Sequence, residues 1–282
     1  MSKAKIEYVK DTFSEYLARE DVSASDIKNF LKSPRRYYYE KHKSTEEETG
    51  RHFPIGSAVH EHIMEFELFY ENYIVSPKID KRTKAGKEAF AEFQSKAAGK
   101  TIIYENEMQM IEEMSTSCKL NKTFIDFMQD CYYEVSCYTV DEKTGLKIRM
   151  RPDILPKSKN SIVDIKTCRD SSPKAFKNDV YSFGYSLSAA FYSDFLKREN
   201  YVFCAIEKSA PYQTSMYALN DEMLDYGRHQ YRMGLDLLKW SIDNNYWCDY
   251  IEFEVLKECY LLGNTDDFFD TINKSELIQI LN

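Results

Sequence analysis

The sequence has little glycine and little proline, 9 and 7 among 282 residues. No Gly/Ser linker, internal repeat or low-complexity block interrupts it, so one continuous domain is expected over 1–282. It has no apolar run near the ~20 residues that cross a bilayer, so no membrane span is expected. Met1-Ser2-Lys3-Ala4-Lys5 leads into a polar stretch rather than a secretory apolar segment, and a cytoplasmic location follows as the expectation. The seven cysteines, at 118, 131, 137, 168, 204, 248 and 259, contain no C-x-x-C pair. That spacing argues against a zinc or iron–sulfur site and for seven free thiols, several of them in the core. A basic excess is missing too. Lys+Arg number 38 against 46 Asp+Glu, a net charge of -8. Taken whole, that speaks against nucleic acid. With 43% apolar and 15% aromatic residues, however, the chain can build a large core and is not a disordered tail.

The charge is unevenly spread. Residues 218–282 hold 5 basic and 13 acidic residues, leaving the first 217 neutral overall. Three stretches are basic: Lys32–Lys43, Lys78–Lys100 and Lys147–Lys177. A nucleic-acid binder therefore stays open. The reading places the basic segments, Lys84 among them, along a DNA channel and the acidic end outward or against a neighbouring subunit.

Hydrophobic spacing divides the chain into a helical part (1–130), a mixed core (131–245) and an acidic extension (246–282). Ser23 and Ser25 offer caps for a helix through Leu31 that stops near Pro34. Further helices are predicted over Arg36–Lys43, Gly56–Tyr70, Thr83–Lys96, Glu105–Leu120 and Asn121–Asp130. The period then changes to near-alternation over Tyr133–Val140, Leu146–Leu155 and Ser161–Thr167, a three-strand meander. Helices Pro173–Tyr181 and Gly184–Arg198, strands Tyr201–Glu207 and Gln213–Leu219 and a long helix Asp221–Asp243 follow. This order is that of an α/β (α+β) fold with a mixed central β-sheet flanked by helices. Asp266, Asp267 and Asp270 near Phe268-Phe269 either cap a helix or form a mobile acidic tail.

Two segments carry the chemistry: Arg151-Pro152-Asp153 and Asp164-Ile165-Lys166. In a strand, Asp164 and Lys166 share one face and Ile165 takes the other. A reversal around Lys157–Lys159 pairs residues whose numbers sum to about 317, which sets Asp153 across from Asp164. Two carboxylates that close repel unless a cation lies between them. Oxygen ligands of this kind suit Mg²⁺, with Mn²⁺ as a substitute. Lys166 beside such an ion either orients a water or stabilises charge on a phosphate oxygen. Glu134 is a third acidic candidate or an exposed strand charge. On sequence alone, a lone His such as His60 is more often structural than a ligand, and His62, two residues on, cannot share its helical face. Tyr185, Ser188 and Tyr192 follow the hairpin. They offer stacking and phosphate contacts, or simply core packing.

Several blocks together resemble a known family. Ser33-Pro34 with Tyr37-Tyr38-Tyr39, then Gly56-Ser57-Ala58-Val59-His60, then Lys81–Lys87, then the two Asp segments, then Tyr185–Tyr192 stand in one order. They resemble the PD-(D/E)XK nuclease superfamily and, within it, the exodeoxyribonuclease VIII (RecE-type) group. The resemblance runs from about Val22 to Tyr250. It implies a restriction-endonuclease-like core and a bacterial or phage-encoded enzyme. The implied activity is metal-dependent resection of linear duplex DNA, 5′ to 3′, which leaves 3′ overhangs. It implies His60, Asp153, Asp164 and the Ile165 carbonyl as metal ligands, Lys166 as the catalytic lysine and Glu134 as an aid to a second ion. DNA contacts are implied at Tyr185, Ser188, Tyr192, Arg151 and Lys84. Ser188 departs from the family, which has Gln there. Some related nucleases carry an iron–sulfur cluster on four cysteines, a spacing that this chain lacks. The implied partners are DNA ends, a RecT-like single-strand annealing protein and further copies of the chain. The rival readings are a restriction- or repair-type endonuclease, a non-catalytic DNA-binding scaffold and an acidic DNA mimic.

Overall fold

The computed structural model describes residues 5–42, 55–80 and 82–274. The N-terminal part runs β1 (Glu7–Val9), α1 (Phe13–Ala18), α2 (Ala24–Lys32), α3 (Pro34–His42), α4 (Ile55–Met64), α5 (Phe66–Asn72) and β2 (Tyr73–Val75). It continues with α6 (Lys84–Lys96), β3 (Thr101–Ile103), α7 (Glu105–Leu120) and α8 (Lys122–Phe127). Then come β4 (Cys131–Tyr133), β5 (Ser136–Val140), β6 (Lys147–Met150), β7 (Ile154–Pro156) and β8 (Ser161–Cys168). Next are α9 (Pro173–Ser182), α10 (Tyr185–Leu196), β9 (Asn200–Glu207), β10 (Thr214–Ala218) and α11 (Asp221–Asn244). The chain closes with α12 (Tyr250–Leu261), a 3₁₀ turn at Thr265–Asp267 and α13 (Phe268–Lys274).

The central sheet has the order β10-β9-β8-β7-β4. Within it β8 and β9 are parallel and the other neighbours antiparallel. A parallel pair needs a crossover, and α9 and α10 supply it. Ile162, Val163 and Ile165 of β8 are all fully buried, as expected of a strand covered on both faces. Ile162 joins a core with Phe30, Phe191 and Leu235, from α2, α10 and α11. Val163 and Ile165 join a second core with Val59, Ile111 and Met114, from α4 and α7. Asp164 and Lys166 therefore face the α2/α10 side. The mixed α/β architecture matches the fold expected from the sequence.

Two expectations need correction, and two others are sharpened. The three-strand meander does not exist as one sheet. β5 and β6 pair in a separate antiparallel sheet, β1-β5-β6, while β4 and β7 lie in the central one. The expected helix over Gly56–Tyr70 is two helices, because Glu65 leaves helical geometry at φ -133°, ψ 60°. α2 stops at Ser33 as expected, and α3 begins at Pro34, two residues before the expected Arg36, where the missing N–H of Pro34 costs nothing. Of the two readings of the Phe268-Phe269 region the helical one holds over the described residues: the turn at Thr265–Asp267 leads into α13, and Phe268 is fully buried against Trp240 and Tyr246. Among the described residues no helix is long and apolar enough to cross a membrane. The expectations for Met1–Ala4, Lys43, Lys81 and the Asp270 side chain lie outside the described residues.

Candidate metal centre

Two neighbouring strands break at the same level. Between β4 and β5, Glu134 takes φ +47°, a conformation uncommon for a residue with a side chain. Its N–H donates to the Asp153 carbonyl at 3.0 Å. Between β6 and β7, Arg151-Pro152-Asp153 interrupts the strand, and Pro152 has no N–H for a ladder. At Glu134 the chain thus passes from the five-stranded sheet to the three-stranded one, and at Arg151-Pro152-Asp153 it passes back, at the same seam. The Glu134 and Asp153 side chains meet there.

α4 brings His60 to the seam, with Nδ1 3.6 Å from Asp153 Oδ2. One ligand atom each from His60, Glu134 and Asp153 lie within 4.8 Å of one another. The buried Asp153 carboxylate also accepts the Ile165 N–H at 2.7 Å, which ties it to β8. Ile154 pairs with Val163, so the register has the predicted sum of 317. Asp164 does not join the trio. Its Oδ2 meets Lys166 Nζ at 2.5 Å, yet this buried oxygen accepts no well-directed hydrogen bond. The Ile165 carbonyl lies 3.5 Å from the same ammonium.

Arg151 braces the seam. Its Nε donates to Glu134 at 2.8 Å, and its Nη1 donates to the Asp11 carbonyl and to Ser136 Oγ. The Tyr192 hydroxyl accepts the Arg151 N–H at 3.2 Å. The Tyr185 ring lies under Lys166, whose Nζ is 5.5 Å from its centroid. Ser188 stands near the start of α10, partly exposed. Lys84 is exposed at the start of α6 and, among the described residues, shares no ion pair with the centre. The block around it has a local logic. Thr83 caps α6, and Gly86 lets the Asp80 carbonyl approach where a Cβ would lie only 1.9 Å away.

The basic residues of Lys147–Lys177 do not all face the centre. Of Lys147–Lys177, Arg151 and Lys166 face the centre, while Lys157 and Lys159 pair with Asp130 and Asp126. Arg149 is buried and holds the carbonyls of Tyr16, Leu17 and Arg19. The acidic end is likewise engaged locally. Asp249 caps α12, Asp236 takes Lys143 and Asp243 takes Lys239. His62 turns away from His60, with Nδ1 2.8 Å from Ser115 Oγ; burial lowers its pKa to about 4.

The electrostatics suit a cation. Burial, and then the neighbouring Asp153, push the Glu134 carboxyl up to about 8 against the pull of Arg151. Burial also raises Asp164; Lys166 opposes that and Asp153 adds to it. For Lys166 burial works downward, but Asp164 and Asp153 outweigh it and hold the ammonium above its ordinary value. The donors are imidazole nitrogen and carboxylate oxygen, and one buried oxygen lacks a hydrogen bond. This set fits a divalent cation. Sequence reasoning did not single out Lys28, on α2, which lies within the field of Lys166 and Asp164. Only its place beside the apolar Ile27 hinted that it is drawn inward.

The profile of a PDDEXK-like domain of unknown function (DUF3799) matches residues 23–257. A crystal structure of a provisionally named exonuclease from Eubacterium rectale superposes with a TM-score of 0.58. The two share 14% identity, over 86% of this chain and 90% of that one, so the likeness speaks to the fold. A phage-related exonuclease from Haemophilus somnus 129PT, 12% identical, aligns over 70% of this chain and 98% of its own with a TM-score of 0.35. No curated protein sequence matches the chain.

Proposed function

The chain belongs to the PDDEXK-like family DUF3799, and from that premise we propose that it is a divalent-metal-dependent deoxyribonuclease acting on the ends of linear duplex DNA. One observation carries the reading: His60, Glu134 and Asp153 converge at the seam next to the Asp164–Lys166 pair. In this reading Asp153, His60 and Glu134 hold the ion, with Asp164 and the Ile165 carbonyl as further oxygen donors. When bound, a divalent ion supplies Lewis acidity and a water of lowered pKa. Arg151 aims the Glu134 carboxylate, and the Ile165 N–H aims that of Asp153. Lys166, kept as an ammonium by Asp164, donates to a phosphate oxygen and stabilises the charge that develops there. Tyr185 offers its ring beside that phosphate, and Tyr192 anchors the backbone at Arg151.

The RecE-type resemblance adds finer features to the proposal. These are 5′ to 3′ resection, a 3′ overhang passed to a RecT-like annealing protein and assembly of several copies of the chain. The test uses linear duplex, closed-circular and single-stranded DNA, each with Mg²⁺ or with chelator, beside Lys166→Ala. The expected result is metal-dependent loss of linear duplex, abolished by the substitution. Linearised circles support an endonuclease instead, and bound but intact DNA in every lane supports a scaffold.

A further inference from the structure

α2 turns Ile27 and Phe30 into the core beneath α10 and α11. That orientation sets Lys28 against the start of α10. Gly184, the cap of α10, has φ +63°, and a Cβ built on it would lie 3.0 Å from Lys28 Cδ and 3.5 Å from Cγ. The stem of Lys28 is therefore pinned over a residue that has no side chain to displace it. Its ammonium is repelled by Lys166 and Lys32 and attracted by Asp164. Asp164 is already engaged by Lys166 at 2.5 Å. Among the described residues no carboxylate lies within ion-pair distance of Lys28. Burial first, and then Lys166, lower its pKa to about 8.

A second ammonium, without an ion pair of its own among the described residues, therefore stands in a largely desolvated corner near the Asp164–Lys166 pair. Such an arrangement is unfavourable by itself and becomes favourable when an anion enters. Lys32, exposed one helical turn further along α2, carries the positive row outward. A row that continues to the surface suits a polymer of phosphates better than a free nucleotide.

We propose that Lys28 is a phosphate-binding residue that, with Lys166, holds a backbone phosphate of the nucleic acid beside the metal centre. The proposal rests on the nuclease reading and names a contact which that reading does not contain. Lys28→Met keeps the stem over Gly184 and removes the charge, while Lys28→Arg keeps the charge. Binding is read by fluorescence anisotropy on a short blunt-ended duplex, with Ca²⁺ replacing Mg²⁺ to suppress cleavage. Lys28→Met should weaken binding about tenfold or more, as expected for a charged hydrogen bond. The slope of log K against log salt should fall by about 0.9, one phosphate contact. Lys28→Arg should restore most of both. In Mg²⁺, KM should rise more than kcat falls. The melting temperature of Lys28→Met should not drop, because a buried unpaired charge is removed.

An unchanged salt slope in Lys28→Met, with wild-type protein that binds and cuts, overturns this proposal alone. Weaker binding that Lys28→Arg fails to rescue, at an unchanged slope, assigns Lys28 a structural role and also overturns it. Wild-type protein that neither binds nor cuts DNA overturns both this proposal and the nuclease reading.

Discussion

Replacing Asp26 by Asn tests how the helical layer that carries Lys28 is held. The Asp26 carboxylate accepts the Ser23 N–H at 2.9 Å and the Ser23 hydroxyl at 2.6 Å, as part of the capping box of α2. It also takes Lys41 at 3.1 Å and Arg149 at 3.3 Å. The Asp26 and Arg149 side chains are only 12% and 8% exposed. Asparagine keeps the shape and one capping acceptor but loses the charge. Arg149 then retains three backbone carbonyls and no carboxylate. Removing one partner of a buried pair costs about 3–5 kcal/mol. The remaining carbonyls and the partial exposure of Lys41 put this case at the lower end, about 3 kcal/mol. At ~2–4 °C per kcal/mol for a domain of this size class, the melting temperature should fall by roughly 6–12 °C. The pH dependence has a definite sign. Burial works to raise the Asp26 carboxyl, but Ser23 and Lys41 outweigh it and hold it below the ordinary value. A folded-state value below the unfolded value of about 4 means the stabilisation is present above that pH. It is lost as pH falls through the lowered value. Scanning calorimetry of the two proteins should show a gap at pH 7 that closes below about pH 4. Equal melting temperatures at pH 7, or a gap that persists in acid, refute the charge argument. They would mean that the carbonyls alone neutralise Arg149.

Divalent metal should stabilise the protein: at a hundred times its Kd, Mg²⁺ or Mn²⁺ contributes about 2.7 kcal/mol. A thermal-shift titration with and without chelator checks this, and Asp153→Asn should remove most of the shift. Gly86→Ala should loosen the start of α6, because its Cβ meets the Asp80 carbonyl. Trypsin should then cut faster near Arg82, and an unchanged cleavage pattern contradicts the close approach. Six of the seven thiols are buried and Cys131 is partly exposed. A thiol reagent should therefore label Cys131 in the native protein, slowly because burial raises its pKa to about 11, and all seven in urea. Rapid native labelling of Cys204 would contradict the packing of β9.

Much of this was legible from local pattern. Ser23 announces the start of α2, and Glu105–Leu120 has the bounds of α7. Alternation in Ser161–Thr167 gave the faces of β8, and the sum of 317 gave its register. What alternation could not reveal is where a strand changes sheet. Tyr133–Val140 looks continuous, because a left-handed φ at Glu134 leaves no mark on a two-residue period. Strands of three residues, such as β1, β2 and β3, are too short to show a period at all. At the candidate metal centre Asp153 follows from strand register and His60 from resemblance, while Glu134 reads equally well as an exposed strand charge. The brace of Arg151 on Glu134 depends on a fold-back that only tertiary structure supplies.

The shared seam has a kinematic consequence. Glu134 and Asp153 sit on adjacent strands that cross between sheets side by side, locked by the Glu134 N–H to Asp153 carbonyl bond. If the small sheet tilts against the large one to admit a bulky substrate, the two carboxylates travel as one jaw. Their mutual spacing is conserved, and the distance that opens or closes is the one to His60 on the helix opposite.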